Sequence, residues 1–214
     1  MIKNKNNLNL SNKVETFYDK IATTRKRWIE KSKSFHHEDL LMLKELTFKE
    51  SKILELGCGN GQLLNSLQPS YGLGIDISKE IIKQAKKSYK GLKFIHGDIL
   101  KIKTLIKDKT KFDYIILSDT VGYLQDIQTT LEQLHFFCNK NTRIILSYYS
   151  PLWSPIFFLA TIFKLKMPDI GTHLLNLTDI KNFLNISDFE VVRTEKKILT
   201  PINFFGLGRF INRF

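Results

Sequence analysis

Ile53–Gly61 reads ILELGCGNG: a short apolar strand, Lys52–Leu56, carries an acid at Glu55 and runs straight into glycines at 57, 59 and 61. Small residues after a strand let the backbone turn sharply and approach a ligand closely. Amides exposed at the start of the next helix can then hold a carboxylate or a phosphate. A second acid, Asp76, closes the following strand in LGIDIS, where a carboxylate can accept both hydroxyls of a ribose. The spacing is G-x-G-x-G, which departs from the dinucleotide fingerprint G-x-G-x-x-G. Glu55 would also repel a pyrophosphate and suits a ligand that carries an ammonium group.

The elements around this stretch alternate. Gln62–Leu67 reads as helical and Leu73–Ile77 as a strand, and Ser78 caps a helix to Tyr89 with Ile81 and Ile82 behind it. Strand-like Lys93–His96, a turn at Gly97–Asp98, strand-like Phe112–Leu117, a helix over Leu124–Cys138 and a strand at Arg143–Tyr149 follow. Such alternation with short connections specifies a parallel sheet covered on both faces. Ahead of it, Val14–Leu46 holds two helical stretches with Phe17, Ile21, Trp28, Leu40, Leu41 and Leu43 as inward positions, while polar residues 1–12 read as disordered. Ser150–Leu177 breaks the regularity with Pro151, Pro155, Pro168 and the apolar run Trp153–Leu165. An insertion at a strand's C-terminal end lies over the crevice where open sheets bind ligands. Asp179–Leu184 and Phe189–Leu199 read as a last helix and strand, before the apolar tail FFGLGRFINRF.

With 214 residues, 43% hydrophobic and 25% charged, the chain reads as one domain with a core that needs no disulfides. A disulfide miniprotein, a collagen-like fibre and a mostly disordered chain are excluded. Cys58 and Cys138 form no framework, which points to a reducing, cytoplasmic setting. The net charge is +12, yet 27 of the 33 basic residues are lysine. That composition reads as a solvated basic surface, because phosphate and base recognition favours arginine. No run reaches the roughly 18–20 apolar residues of a membrane-spanning helix, and the first residues lack the apolar core of a signal peptide. The quartet His36, His37, Glu38 and Asp39 does not read as a metal site, because helix neighbours face different directions.

A ligand with ribose, adenine, a carboxylate and an ammonium group fits these acids and glycines, and S-adenosylmethionine (SAM) is such a ligand. The chain resembles class I SAM-dependent methyltransferases, particularly the small type-11 group that includes quinone-biosynthesis enzymes, over about Phe17–Leu199. Four elements carry the resemblance: ILELGCGNG as the glycine-rich loop, GIDIS with the ribose acid, HGDI with the adenine-edge acid, and FDYIILSDTVGYL beside the transferred methyl. It implies an α/β, Rossmann-like fold with a mostly parallel sheet of seven strands, or six, in the order 3-2-1-4-5 with late strands beyond the fifth. Helices cover both faces. Residues 13–214 would form a single methyltransferase domain, with a helical cap (13–50), a cofactor-binding core (51–149), a lid or substrate insertion (150–177) and a C-terminal helix, strand and tail (178–214).

The resemblance also implies SAM as cofactor, S-adenosylhomocysteine (SAH) as product, and no metal. Gly57, Cys58 and Gly59 would meet the methionine part through backbone, with Glu55 near its ammonium. Asp76 would take the ribose hydroxyls, Ile77 would pack on adenine, Asp98 would accept its exocyclic amine, and the Ile99 amide would meet a ring nitrogen. Ser118 would offer its carbonyl near the ammonium or sulfonium, and Tyr18, with Phe17, would close over the cofactor. Asp119 and His37 are the candidate bases, with Tyr123 beside the methyl group. The acceptor is expected to be a small molecule, lipid-like or isoprenoid, in an apolar pocket built from Trp153, Phe157, Phe158 and Phe163. A monomer or homodimer, cytoplasmic with peripheral membrane contact and no nucleic-acid partner, is the corresponding expectation. RNA or protein methylation is one alternative, weakened because SDTV after the fourth strand lacks an Asn-Pro-Pro-Tyr-type tetrapeptide. Non-catalytic SAM binding is the other.

Overall fold

The computed structural model describes residues 10–31, 33–107, 109–163, 167–170 and 173–196. Strands β1 (Lys52–Leu56), β2 (Tyr71–Asp76), β3 (Lys93–His96), β4 (Phe112–Ser118) and β5 (Cys138–Ser147) form one sheet in the order β3-β2-β1-β4-β5. Every pairing is parallel. Successive strand residues point to opposite faces, and the apolar residues of the central strands divide accordingly between two cores. Leu54, Leu56, Ile115 and Leu117 join one core, whereas Ile53, Tyr114 and Ile116 join the other. A strand buried on both faces needs a nearly continuous apolar run, which KILEL and FDYIILS supply.

Helices α2 (Lys33–Leu46), α3 (Gln62–Ser66) and α4 (Lys79–Ser88) pack Leu43, Leu64, Ile82 and Ala85 on the Ile53 face. Helices α5 (Ile102–Leu105), α6 (Ile127–Leu134) and α8 (Leu177–Ile186) pack Ile102, Ile127, Leu131 and Ile180 on the Leu54 face. Helix α1 (Leu10–Lys31) is strapped to the start of α4. Ser78 Oγ (2.5 Å) and the Glu80 amide (3.1 Å) donate to Asp19, and Gln84 Nε2 donates to the Ala22 carbonyl (3.1 Å). A carboxylate at a helix N-terminus is favoured by the unpaired amides there. His96 Nε2 at the end of β3 lies 3.0 Å from Glu15 and adds a second strap.

Winding from β1 runs outward to β3, and from β4 the other way to β5. The loops after β1 and β4 therefore part at the topological switch point, where open α/β sheets hold ligands. Helix α7 (Ser154–Ile162) follows β5 and leaves Phe158 (67%) and Phe163 (69%) exposed. No described helix is long and apolar enough to cross a membrane.

Several sequence expectations are corrected. α6 ends at Leu134, and a 3₁₀ turn at His135–Phe137 leads into β5, so Cys138 is a half-buried strand residue rather than the end of a helix. Phe189–Lys196 forms no strand; Phe189 instead stacks on His135, ring centroids 4.1 Å apart, and packs into the α6–α8 core. The described sheet therefore has five strands rather than seven or six, and residues 197–214, with the apolar tail, lie outside the described residues. Helix α1 begins at Leu10, inside the stretch read as disordered, and residues 1–9 are likewise outside. Leu41 is exposed (41%) because helical rotation turns it away from fully buried Leu43.

Candidate functional site

Gly57, Gly59 and Gly61 all take left-handed backbone angles (φ 75°, 51° and 77°), which side-chain-bearing residues resist. The Gly57 and Cys58 amides both donate to the Ile75 carbonyl (2.8 and 3.0 Å), tying the loop to β2. Asp76 then joins two loops: one carboxylate oxygen accepts from the Gly59 amide (2.8 Å) and the other from the Ser78 amide (2.9 Å). A carboxylate has about four acceptor sites, so capacity for further hydroxyls remains. Burial pushes the Asp76 carboxyl up, against these amides and Arg25.

Glu55 stands behind this loop, only 3% exposed, and its Oε2 has no hydrogen-bond partner. Burial holds its carboxyl well above the ordinary range, despite a hydrogen bond from the Leu64 amide and the charge of Arg25. Arg25 reaches in from α1 until a Cβ on Gly59 would lie 2.8 Å from its Nη2, and its own Nε is buried and unpaired. Buried polar atoms are almost always satisfied in native proteins. An unpaired carboxylate oxygen of Glu55 and the unpaired Nε of Arg25 beside one glycine loop thus mark a place for a ligand with both an ammonium and a carboxylate. Cys58 packs against Gly74, where a Cβ would come 2.7 Å from its sulfur, and burial raises its thiol well above the usual range. Its side chain is buried in the packing between the glycine loop and β2.

The loop after β2 and β3 supplies Ile77, Asp98 and Ile99 to the same cavity, which has a volume of about 1850 Å³. Asp98 accepts from the Leu100 amide (3.0 Å) and caps the 3₁₀ turn Ile99–Lys101. On the far wall Ser118 Oγ donates to Asp39 (3.2 Å), and the Ser118 carbonyl accepts from Thr120 Oγ1 (2.9 Å). Asp119 adopts a left-handed φ of 50°, with its amide on the Ser147 carbonyl (3.0 Å). Tyr123 donates to Asp169 (3.0 Å) and meets Tyr18 edge-on, centroids 5.8 Å apart. Burial pushes the Tyr18 hydroxyl up to about 12. Among the described residues no three His, Cys, Asp or Glu side chains converge as a metal site.

A family model described as a methyltransferase domain matches residues 47–191, which is more than half of the chain. The chain belongs to the methyltransferase domain family. A ubiquinone biosynthesis O-methyltransferase of Pelagibacter ubique is 32% identical over 130 residues, covering 58% of this chain and 54% of that protein. The chain thus spans about half the length of that relative. Among solved structures, magnesium protoporphyrin IX methyltransferase of Synechocystis with bound SAH has a TM-score of 0.65 at 18% identity, covering 86% of this chain and 91% of that one. A SAM-dependent methyltransferase of Thermotoga maritima has a TM-score of 0.67 at 14% identity, covering 83% and 82%. At these identities the likeness to solved structures is one of fold.

Within this methyltransferase fold, Tyr18, Glu55, Gly57, Cys58, Asp76, Ile77, Asp98, Ile99, Ser118, Asp119 and Tyr123 line the cavity. Gly59 is buried in the loop with its amide on Asp76. His37 is exposed and outside the lining, whereas Asp39, two residues on, is inside it. Phe157 lines the cavity, but Phe158 and Phe163 do not. Arg25, Asp39, Tyr149 and Asp169 also line the cavity, and the sequence reading gave none of them a role there. Arg25 had a signal. Val14 and Ala22 are buried and Tyr18 and Arg25 face the cavity, and positions 14, 18, 22 and 25 share one helix face.

Proposed function

We propose that the chain transfers a methyl group from SAM to a small-molecule acceptor with a largely apolar body. The buried, unpaired Glu55 Oε2 and Arg25 Nε beside the glycine loop carry this reading, because they complement the ammonium and carboxylate of SAM. Asp76 would hold the ribose hydroxyls on its remaining acceptor sites, Asp98 and the Ile99 amide the adenine edge, and Tyr18 the outer face. SAM supplies a methyl group already activated by a sulfonium. The chain's own contribution is then to orient the acceptor and exclude water, worth of order 7–11 kcal/mol at best, with Asp119 as the candidate proton acceptor and Tyr123 as its neighbour. The exposed apolar side chains Phe158, Leu159 and Ile162 of α7 support peripheral contact with a membrane surface.

Calorimetry with SAH tests the assignment. Asp76→Ala removes the hydroxyl acceptor and leaves the Gly59 and Ser78 amides unpaired, so affinity is expected to fall by about 2–4 kcal/mol. Unchanged affinity, or tighter binding of a nicotinamide dinucleotide than of SAH, would overturn it.

A further inference from the structure

SAM and its product SAH differ by one methyl group and one positive charge. Their ribose, adenine, ammonium and carboxylate are the same, so the groups assigned above hold both alike. Glu55 answers the shared ammonium, Arg25 the shared carboxylate and Asp76 the shared hydroxyls. A sulfonium carries no N–H or O–H, so it asks for no vacant hydrogen-bond acceptor. What distinguishes it is a charge at short range, whose effect grows as water is excluded.

Asp39 supplies a charge that this division leaves unused. It lines the cavity from α2. Its carboxylate accepts from Ser118 Oγ (3.2 Å), which in turn accepts from Ser147 Oγ (3.2 Å). Ser118 and Ser147 are register partners at the ends of β4 and β5, so the sheet itself fixes this pair of hydroxyls. The Ser118 carbonyl accepts from Thr120 Oγ1 (2.9 Å), and Thr120 is the side chain packed on Gly57. Contacts through Thr120 and Ser118 thus tie the Asp39 carboxylate to the glycine loop. Its charge acts on Glu55 at one end of the cavity and on the Tyr149 hydroxyl, just past β5, at the other. Asp39 therefore stands between the cofactor end and the lid end. In SAM the sulfur joins the amino-acid chain to the ribose and carries the methyl toward the acceptor, so it belongs at that same boundary. Burial holds the Asp39 carboxyl above the ordinary range, against the Ser118 bond, and an adjoining cation favours its charged form.

We infer that Asp39 is the residue by which the site tells SAM from SAH, its carboxylate facing the sulfonium and losing that partner once the methyl is gone. The inference rests on the methyl-transfer reading and adds a specificity determinant to it. Product then binds less tightly than substrate, and exchange of SAH for SAM is favoured. The charge acts on binding and release, since what steadies the sulfonium before transfer does not speed its loss.

Calorimetry with SAM and with SAH, in the absence of any acceptor, tests this. The wild-type chain is expected to bind SAM about tenfold or more tightly than SAH, equivalent to ~1.4 kcal/mol. Asp39→Asn keeps the size of the side chain and an oxygen for Ser118 but removes the charge. It is expected to cut the ratio several-fold, with nearly all of the loss falling on SAM, whereas Asp76→Ala weakens both ligands together. Ser118→Ala leaves the charge in place but unties it from β4, and is expected to lower the ratio as well. This second variant decides the matter if a melting curve shows that Asp39→Asn does not fold. A wild-type chain with no preference for SAM, or a preference that survives in the folded variants, overturns the inference. So does an equal loss of both ligands in Asp39→Asn, which would put the carboxylate on the shared ammonium instead. Failure of the wild-type chain to bind either ligand would sink the methyl-transfer reading beneath it.

Discussion

Glu55 is the residue whose isolation has the clearest thermodynamic consequence. Its carboxyl is held up by burial in the folded chain, so between the ordinary carboxylate range and its folded value the folded state binds more protons than the unfolded one. Stability therefore declines as pH rises through that window. Glu55→Gln removes the effect: thermal melts without ligand are expected to match wild type near pH 4 and to exceed it increasingly as pH rises toward 8, while SAH affinity falls. A constant gap across pH would contradict this. Two glycines of the adjoining loop allow a paired comparison. Both Gly57→Ala and Gly59→Ala incur the left-handed penalty of roughly 1–2 kcal/mol. At Gly57 the new Cβ also meets Thr120 Oγ1 at 2.1 Å and Thr120 Cβ at 2.9 Å, whereas at Gly59 it meets the movable end of Arg25 at 2.8 Å. Gly57→Ala is expected to lower the melting temperature more, and Gly59→Ala to lose SAH affinity by displacing Arg25. Melting curves and calorimetry on both variants check the split.

Helix α1 delivers Tyr18 and Arg25 to the cavity, and Asp19, outside the cavity lining, holds α1 through Ser78 and Glu80. Asp19→Ala leaves the α4 N-terminus without that acceptor, a loss of about 1 kcal/mol. Amide exchange over Leu10–Lys31 is expected to quicken and SAH affinity to fall several-fold, with β1–β5 unchanged. Protected α1 amides in this variant would mean that the strap is not what seats the helix. Legibility follows the same division between local and long-range contacts. The β1 loop, Asp76 and Asp98 were readable because each rests on a strand end and a turn only a few residues long. Arg25 depends on α1 crossing onto a loop more than thirty positions away, and Asp169 on an insertion folding back to Tyr123 (3.0 Å). Phe189–Lys196 carries strand-forming residues, yet the stacking of Phe189 on His135 takes its first residue into the helix layer.

Across the whole molecule two features combine that neither composition nor fold alone joins: a net charge of +12 and an uncharged stretch, Pro151–Phe163, that exposes Leu152, Phe158, Leu159, Ile162 and Phe163. The parallel order of the central strands was legible because alternating elements leave few topologies. The bare face of α7 was not, since an apolar run reads equally as buried helix or surface. Weak apolar insertion and weak electrostatic attraction to anionic headgroups are each marginal, and together hold a peripheral protein on a bilayer. Co-sedimentation with phosphatidylcholine vesicles is accordingly expected to be slight, and with phosphatidylserine-containing vesicles substantial. Raising salt from about 0.1 to 1 M shortens the screening length from ~10 to ~3 Å and is expected to release the protein. Phe158 and Phe163 lie outside the cavity lining, so replacing both with serine should abolish vesicle binding while leaving SAH affinity and the melting temperature in place. Vesicle binding that survives this double substitution would move the contact elsewhere on the basic surface, and binding to neither vesicle would remove membrane contact from the proposed function.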